Sequence, residues 1–289
     1  MPRTSADQVG RINRTITHID EHLAAPLDLD ALAAVARFSK FHFHKLFKAV
    51  TGASPHAYVK RRRLELAHHF LANDPLLSVA DAAHLLGFSS PSNFARDFKA
   101  LYGRSPRELK GPVQDPFGPG APALRFVDPA QVRLELVSPF RVLYARSQGS
   151  PTDAAGVEAV HESLRRECAR QGWVLPGARE VVIGKSIPGL TPPGRSLFDY
   201  GLELPPWAPV SDPAVVQSIG GGMHARYPYH GDPSTVVECW SELYSTWLRR
   251  SGLSVGPGFA FTVTGPPGPA QAGPPAFQLY LPLRSRSHG

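Results

Sequence analysis

The sequence is poor in cysteine and has no long apolar run. Only Cys168 and Cys239 occur among 289 residues. They fall in separate helical patterns, so we expect neither a structural disulfide nor a zinc cluster. No run reaches the length of a membrane span, and residues 1–5 contain no signal-peptide core. We therefore expect a cytoplasmic, soluble protein without metal or cofactor, and its 42% apolar content can supply the cores of two domains.

Acidic residues are relatively scarce in the first third of the chain. Residues 1–110 contain 16 Lys and Arg against 10 Asp and Glu, a balance of +6, whereas residues 111–289 contain 15 against 14, a balance of +1. A polyanionic partner would need this excess in the first segment. A generally basic surface without such a partner is the alternative.

A motif of about fifty residues occurs twice in this basic segment. The first copy contains Phe38–Lys48 and closes with Gly52-Ala53-Ser54-Pro55, and the second contains Phe88–Lys99 and closes with Gly103-Arg104-Ser105-Pro106. Each copy has the pattern of a helix, a turn and a second, basic helix. Such a duplicated helix-turn-helix predicts contact with two neighbouring turns of DNA.

Capping residues predict the helix boundaries in this segment. Helix-period apolar residues predict a first helix over about 6–24, and Asp28, Ser39 and Ser90 are suitable N-caps for later ones. Ser54-Pro55 predicts a long connecting helix that reaches about Leu71. It contains the basic run Lys60-Arg61-Arg62-Arg63, which is either a solvated face or a phosphate contact.

Residues 8–110 resemble the AraC/XylS family of transcription activators, through the Phe-Ser turns, the Phe-Lys pairs and the closing Gly-x-Ser-Pro of both copies. The resemblance implies a promoter site in double-stranded DNA as the partner and allows RNA polymerase as a second one. It also implies that outward residues of the second helices read bases, at Phe41, His44 and Lys45 in the first copy and Ser92, Asn93 and Arg96 in the second.

The side-chain chemistry agrees with that assignment. Arg96 suits guanine, and Asn93 suits adenine. Phe41 is either a thymine-methyl contact or a core residue. Lys40, Lys48 and Lys99 are either phosphate contacts or solvated charges. Because one chain contains two such helices, a monomer could occupy a full site.

The remaining chain predicts a linker and a second domain. Residues 111–129 are rich in Pro and Gly and predict a linker. Strand and helix periods then alternate twice. Strands are predicted over about 131–147, 181–183, 197–204, 215–229 (interrupted by Gly220-Gly221-Gly222), 259–263 and 276–283, and helices over 153–171 and 235–250. We therefore expect a multidomain protein, in which an all-α double helix-turn-helix domain (1–110) precedes an α+β domain (130–289) of duplicated βαββ units with both helices on one face of a sheet.

Residues 130–285 resemble the GyrI-like effector-binding domain, which gives the chain a Rob-type architecture. The resemblance rests on five segments: Tyr229-His230-Gly231-Asp232-Pro233, Trp240 with Leu243 and Trp247-Leu248, Ser251-Gly252-Leu253, Gly256-Pro257-Gly258-Phe259, and Tyr280-Leu281-Pro282-Leu283. It implies a site for a small hydrophobic or aromatic effector. Candidate aromatic residues for that site, each of which could also be simple core, are Tyr144, Phe198, Tyr200, Trp207, Tyr227, Trp240, Tyr244, Phe261 and Tyr280.

One position departs from the pattern of this second family. A buried glutamate that commonly binds cationic ligands is Ala260 here. Glu203 or Glu242 could substitute for it, although a surface or structural carboxylate is the favoured interpretation of each. Relatives that hydrolyse small compounds use a tyrosine and that glutamate, so we do not expect an enzyme. We expect a ligand-responsive transcription regulator. The alternatives for the second domain are a small-molecule hydrolase and a protein-inhibitor module.

Overall fold

The structure, a computed structural model, divides into two compact units. It describes residues 6–74, 77–110, 124–148, 154–173, 176–185, 197–209, 216–256, 258–264 and 277–284. Described residues up to 110 belong to the first unit, and those from 124 onward belong to the second. Among all of them, no helix has the length and apolarity to cross a membrane.

The first unit is helical throughout its described part. Its helices are α1 (Ala6–Glu21), α2 (Leu29–Ala36), α3 (Lys40–Thr51), α4 (Pro55–Asn73), α5 (Val79–Leu85), α6 (Pro91–Tyr102) and α7 (Pro106–Lys110). The predicted caps are confirmed, since the side chains of Asp28, Ser39 and Ser90 accept hydrogen bonds from the backbone N–H three residues later. The helix-turn-helix pairs are α2 with α3 and α5 with α6.

Aromatic side chains hold each second helix of a pair in place. Phe43 and Phe47 of α3 are fully buried, and the Phe47 ring packs edge-on against Tyr58 of α4. Phe94 and Phe98 of α6 are equally buried. Leu101, which the apolar period of α6 predicts on the same inward face, is instead 47% exposed at the end of the helix.

The second unit is an antiparallel sheet with helices. Its strands are β1 (Arg133–Val137), β2 (Phe140–Gln148), β3 (Glu180–Gly184), β4 (Leu197–Glu203), β5 (Val216–Ile219), β6 (Gly222–Tyr229), β7 (Ser254–Val255), β8 (Phe261–Thr264) and β9 (Phe277–Arg284). Helix α8 (Ala154–Arg170) follows β2. After β6, the chain forms α9 (Val236–Glu242), a π-helical turn (Leu243–Trp247) and α10 (Leu248–Ser251) without a break.

The duplicated halves are β1–β4 with α8 and β5–β9 with α9. The strand order shows that these halves exchange their first strands. The order is β1-β6-β9-β8-β3-β4-β2-β5, with β7 beside β9. Thus β1 of the first half pairs with β6 of the second, and β5 of the second pairs with β2 of the first. The strand predicted over 131–147 is therefore wrong as one element, because Ser138-Pro139 divides it. Its first part is one end of the strand order, and its second part is next to the last strand at the other end.

The same order requires a strongly curled sheet. In a flat sheet, β1 and β2 would be six strand spacings apart, about 29 Å at ~4.8 Å each. Three residue steps connect Val137 to Phe140 and span at most about 11 Å. The Gly221 N–H donates to the Val137 carbonyl at 3.0 Å, so the β1–β2 and β5–β6 connections lie against each other. The two ends of the sheet therefore meet.

Residue register separates an inner from an outer face of this curled sheet. The inner face contains a core that joins both halves, formed by Val137, Phe140, Val142, Tyr144, Val181, Ile183, Ile219, Phe261 and Val263. Helix α8 packs on the other face with Leu164 and Cys168 against Leu143 and Leu202. The Trp240 indole of α9 donates to Thr262, whose neighbours on β8 point inward. Both helices therefore lie on the outer face, as predicted.

The C-terminal end of the predicted linker belongs to the second unit. Residues 111–123 lie outside the described part of the chain. The backbone N–H groups of Arg125, Phe126 and Val127 all donate to the Glu242 carboxylate at 2.7 Å, and the Val127 side chain is buried. Glu242 therefore holds this segment on α9, and it is not available as the substitute cation-binding carboxylate that the sequence allowed.

Candidate functional site

The outward faces of α3 and α6 carry every residue that the sequence assigned to DNA. All nine side chains are exposed: Lys40, Phe41, His44, Lys45, Lys48, Ser92, Asn93, Arg96 and Lys99. Phe41 is 82% exposed, which excludes its alternative role as a core residue. A phenyl ring held in water at the start of a basic helix is a natural contact for an apolar base edge.

Few of these charges are neutralised within the chain. Lys40 pairs with Asp30 at 2.6 Å, with both side chains more than half exposed. Arg96 is 3.9 Å from Asp97, which itself pairs with Lys60 at 3.0 Å. Exposed pairs of this kind contribute little stability and separate easily. The two helices therefore present a mainly cationic surface that suits phosphate and base edges.

The run Lys60-Arg61-Arg62-Arg63 on α4 is only in part the solvated face that the sequence allowed, and its contact with phosphate stays a prediction. Arg62 is 5% exposed and contacts Asp20 of α1 at 3.0 Å and Glu65 at 2.7 Å. Its pKa is raised, since the attraction of these carboxylates outweighs the opposing effect of burial. Arg63 hydrogen-bonds backbone carbonyls. Arg62 and Arg63 are therefore structural, whereas the side chains of Lys60 and Arg61 are 44% and 45% exposed.

The inner face of the second unit contains a compact aromatic group. Phe261 and Tyr280 stack with ring centroids 4.8 Å apart and an interplanar angle of 8°. Phe140 meets Phe261 edge-on at 6.0 Å, and buried His224 lies 5.6 Å from the same ring. Tyr280 is only partly buried and gives this group a surface toward solvent.

Glu203 lies on this face, but an arginine already binds it. Arg179 donates to both carboxylate oxygens at 2.8 and 2.7 Å, and its guanidinium carbon is 3.5 Å from the Phe140 ring centroid. Burial acts to raise the pKa of Glu203, but the hydrogen bonds and charge of Arg179 outweigh it and the pKa is lowered. Arg179 thus occupies both the carboxylate and the aromatic face that would attract a cationic ligand.

A second, fully buried ionic group lies on the same face. Asp199 forms a bidentate pair with Arg146 at 2.7 and 2.8 Å, and the Lys185 ammonium is 3.5 Å away. These cations lower the pKa of Asp199 despite the opposing effect of burial. The Lys185 ammonium is also 3.5 Å from the Phe259 ring centroid. Here too a cation of the chain itself covers an aromatic ring.

The ten predicted effector residues do not form one group. Tyr144, Glu203, Phe261 and Tyr280 lie on the inner face. Register puts Phe198, Tyr200 and Tyr227 on the outer face, because Tyr144 pairs with Gly201 and its neighbour Tyr200 therefore points the other way. Trp240 and Tyr244 belong to the helical segment that packs on that face. Tyr200 meets His161 of α8, and the Tyr227 hydroxyl donates to the Phe126 carbonyl. Phe198, Tyr200, Tyr227, Trp240 and Tyr244 therefore do not share a face with Tyr144, and their contact with an effector stays a prediction.

Trp207 also lies apart from the inner group. It belongs to the segment after β4, which Arg141 holds through the carbonyls of Pro205, Pro206 and Ala208, and its side chain is 65% exposed. Sequence reasoning missed Arg179, Lys185 and Phe140. Strand alternation groups Phe140 with Tyr144, but the sequence contains no signal that either cation would turn onto an aromatic ring.

Comparison with known proteins agrees with this division. Residues 32–111 match a helix-turn-helix domain family, and residues 130–284 match the GyrI-like small molecule binding domain. The chain is 40% identical over 103 residues to the probable transcriptional regulator LumQ of Photobacterium leiognathi, which covers 34% of this chain and 40% of LumQ. It is 40% identical over 110 residues to the right origin-binding protein of Escherichia coli K12, which covers 35% of this chain and 37% of that protein.

Solved structures match about a third of the chain. The DNA-binding domain of AdpA, determined in complex with a target DNA, is 28% identical, with 35% of this chain and 89% of that chain covered and a TM-score of 0.33. A probable AraC family regulator from Rhodopseudomonas palustris is 31% identical, with 35% and 94% covered and a TM-score of 0.33. The chain spans about two fifths of the length of the curated relatives it matches.

Proposed function

Because the chain belongs to the GyrI-like small-molecule-binding family and has an AraC-type helix-turn-helix domain before it in sequence, we propose that it is a transcription regulator that binds promoter DNA and responds to a small molecule. The observation that carries the proposal is the pair of exposed basic helices, α3 and α6, whose buried faces are fixed by phenylalanines. Each presents its outward residues to a major groove.

We assign base reading to Phe41, His44 and Lys45 on α3 and to Ser92, Asn93 and Arg96 on α6, and phosphate contact to Lys40, Lys48 and Lys99. These side chains are exposed and carry the donors that base edges and phosphates require. Neighbouring helix-turn-helix sites on one face of the duplex are about 34 Å apart. A regulator that activates would also contact RNA polymerase.

Selection of bound duplexes from a random pool, followed by anisotropy titrations, tests DNA binding. Replacing Arg96 with alanine should cost ~1–3 kcal/mol at one base pair and relax the preference there. The matched control is Arg107→Ala, which removes another exposed arginine from α7, outside both outward faces. If the pool yields no preferred sequence, or if both variants lose affinity equally, the assignment of Arg96 is wrong.

We further propose that the effector binds at the inner face of the second unit, beside Tyr280 and Phe140. Each of the three carboxylates described on that face already pairs with an arginine: Glu203 with Arg179, Asp199 with Arg146 and Glu135 with Arg226. Binding a lipophilic cation there would require displacing a charge that the chain itself supplies. The geometry therefore favours a neutral or anionic aromatic effector.

Calorimetry on the full chain with three probes tests this proposal: 2-naphthol, 1-naphthoate and tetraphenylphosphonium. We expect the first two to bind and the third not to bind. Replacing Tyr280 with alanine should weaken binding, whereas the control Trp207→Ala, on an exposed aromatic residue, should not. Arg179→Gln should confer binding of the cation by releasing Glu203. Preferential binding of the cation to the unmodified chain would contradict the charge assignment.

A further inference from the structure

Helix α4 is shared by both helix-turn-helix motifs. Near its N-terminal end, Tyr58 packs against Phe47 of α3. Near its C-terminal end, His68 stacks on Phe98 of α6 with ring centroids 5.9 Å apart and an interplanar angle of 11°. If this helix alone joined the motifs, each motif could rock about it, and the distance between α3 and α6 would vary. Arg63 lies on α4 between these two anchor points.

The Arg63 side chain bonds two segments at once: the one that leads from α1 into the first motif and the turn of the second motif. Its Nε donates to the Leu23 carbonyl at 2.8 Å and one terminal nitrogen donates to Ala25 at 2.8 Å, both in the segment that follows α1. The other terminal nitrogen donates to the Gly87 carbonyl at 2.9 Å, in the turn between α5 and α6. A guanidinium has rigid, planar donors that can satisfy three carbonyls together, whereas a lysine ammonium is a point charge on a flexible stem.

A second observation at Gly87 shows how closely the motifs approach each other. Gly87 has φ +71°, a conformation that favours glycine. A Cβ atom there would lie 2.7 Å from the Ala24 carbonyl oxygen and 3.0 Å from an Arg63 terminal nitrogen. The turn of the second motif therefore rests directly on the backbone that follows α1. The space beside the Gly87 Cα therefore accommodates a hydrogen atom but no side chain.

We propose that Arg63 is a positioning residue that fixes the distance and angle between α3 and α6, so that DNA binding depends on the spacing of the two half-sites. It does so without contacting DNA itself, because its donors point at backbone carbonyls. This inference rests on the proposed DNA binding for its consequence, but its structural part can be measured without DNA.

Distance measurement by pulsed electron paramagnetic resonance on the free full chain tests the structural part. Spin labels at Ala49→Cys and Ala100→Cys use exposed positions on α3 and α6, while Cys168 and Cys239 are buried and serve as unlabelled background. Arg63→Met should broaden the distance distribution while circular dichroism retains its helical signal. Arg63→Lys should broaden it too, because charge alone cannot bond three carbonyls.

The matched control is Arg61→Met. Arg61 lies on the same helix and is 45% exposed, and its described contacts, with Glu65 and Tyr58, stay within α4. Its distance distribution should equal that of the unmodified chain. Gly87→Ala approaches the same contact from the other motif and should broaden the distribution as well. An unchanged distribution in Arg63→Lys and Gly87→Ala would overturn the inference even if Arg63→Met fails to fold.

Titration against operators of altered spacing tests the consequence. Inserting one base pair between half-sites moves the second by about 3.4 Å and about a tenth of a turn. The unmodified chain should lose at least about tenfold in affinity, the equivalent of one good base contact. Arg63→Lys should bind the native spacing more weakly and show a smaller penalty, with single half-sites bound as before.

The two levels of failure can be told apart. If the unmodified chain selects no DNA sequence, the proposed function fails, and the distance measurement still decides whether Arg63 fixes the motifs. If the chain binds DNA but Arg63→Lys keeps the full spacing penalty, the inference fails and the proposed function stands.

Discussion

Replacing Arg62 with methionine should strongly destabilise the first unit and leave the second unchanged. Arg62 and Asp20 are 5% and 1% exposed, and the second Asp20 oxygen accepts no hydrogen bond within the described part of the chain. Glu65 would still have Arg61 at 3.5 Å, so the substitution leaves only Asp20 as a buried, uncompensated charge. Removing one partner of a buried pair costs roughly 3–5 kcal/mol, a large part of the 5–15 kcal/mol typical of a whole domain.

The distribution of tryptophan provides an assay that separates the two units. All four tryptophans, at 173, 207, 240 and 247, belong to the second unit, whereas the first unit is wholly helical in its described part. In urea, circular dichroism at 222 nm reports mainly the first unit and tryptophan fluorescence reports the second. With a slope of ~1–3 kcal/mol per M, the first transition should move down by roughly 2 M while the fluorescence transition stays.

A double variant separates loss of charge balance from loss of packing. Asp20→Leu with Arg62→Met replaces the ion pair by apolar side chains and should recover most of the stability, because no unpaired charge stays buried. A fall of less than about 1 kcal/mol in Arg62→Met would refute the reasoning. So would a double variant no more stable than the single one.

Three further predictions use the same two signals. Burial, with a smaller effect of His68, lowers the pKa of His69 to about 4. The first unit should therefore keep its full stability above about pH 6.5 and lose on the order of 3 kcal/mol as the pH falls toward 4, a dependence that His69→Gln should flatten and that a pH-independent urea midpoint would contradict. Glu242→Gln should lower the free energy of unfolding of the second unit, followed by fluorescence, by ~1–3 kcal/mol, since three backbone N–H groups lose a charged acceptor. An equal effect of Glu238→Gln on the same helix would disprove a specific role of Glu242. Arg37→Gly should raise the free energy of unfolding of the first unit, followed by circular dichroism, by ~1 kcal/mol, because Arg37 has φ +55° at the position where the second motif has Gly87. A lower free energy of unfolding would show that the arginine stabilises this turn.

Local signals explain why the first unit could be predicted in detail. A serine or aspartate cap and the N–H group it bonds are three residues apart, and the helix period shows which side of α3 faces water. The exposure of the nine outward residues follows from that period. The partners of Arg62 and Arg63 do not, because Asp20, Leu23 and Gly87 are 42, 40 and 24 positions away. The sequence of four consecutive basic residues does not indicate which of their side chains become buried.

The second unit shows a different limit. Alternation predicts that Phe198 and Tyr200 share one face of β4, but not which face the helices cover. That choice depends on pairing between β4 and β2, which are separated by a whole helix. The exchange of β1 and β5 is similarly non-local, and no propensity in Arg133–Val137 indicates a partner ninety residues away. Pro139 is a local signal for the break between β1 and β2, because proline cannot continue a central ladder.

The exchanged strands give any bound molecule influence over the whole second unit. Each half of the second unit depends on a strand of the other half for pairing. Unfolding of one half would leave unpaired strand edges in the other, so we expect the two halves to unfold in a single cooperative step. Occupancy at the inner face would then protect every residue of the unit, by about 2.7 kcal/mol at a hundredfold excess over the dissociation constant. A thermal scan that follows tryptophan emission could therefore serve as a first screen of an effector library.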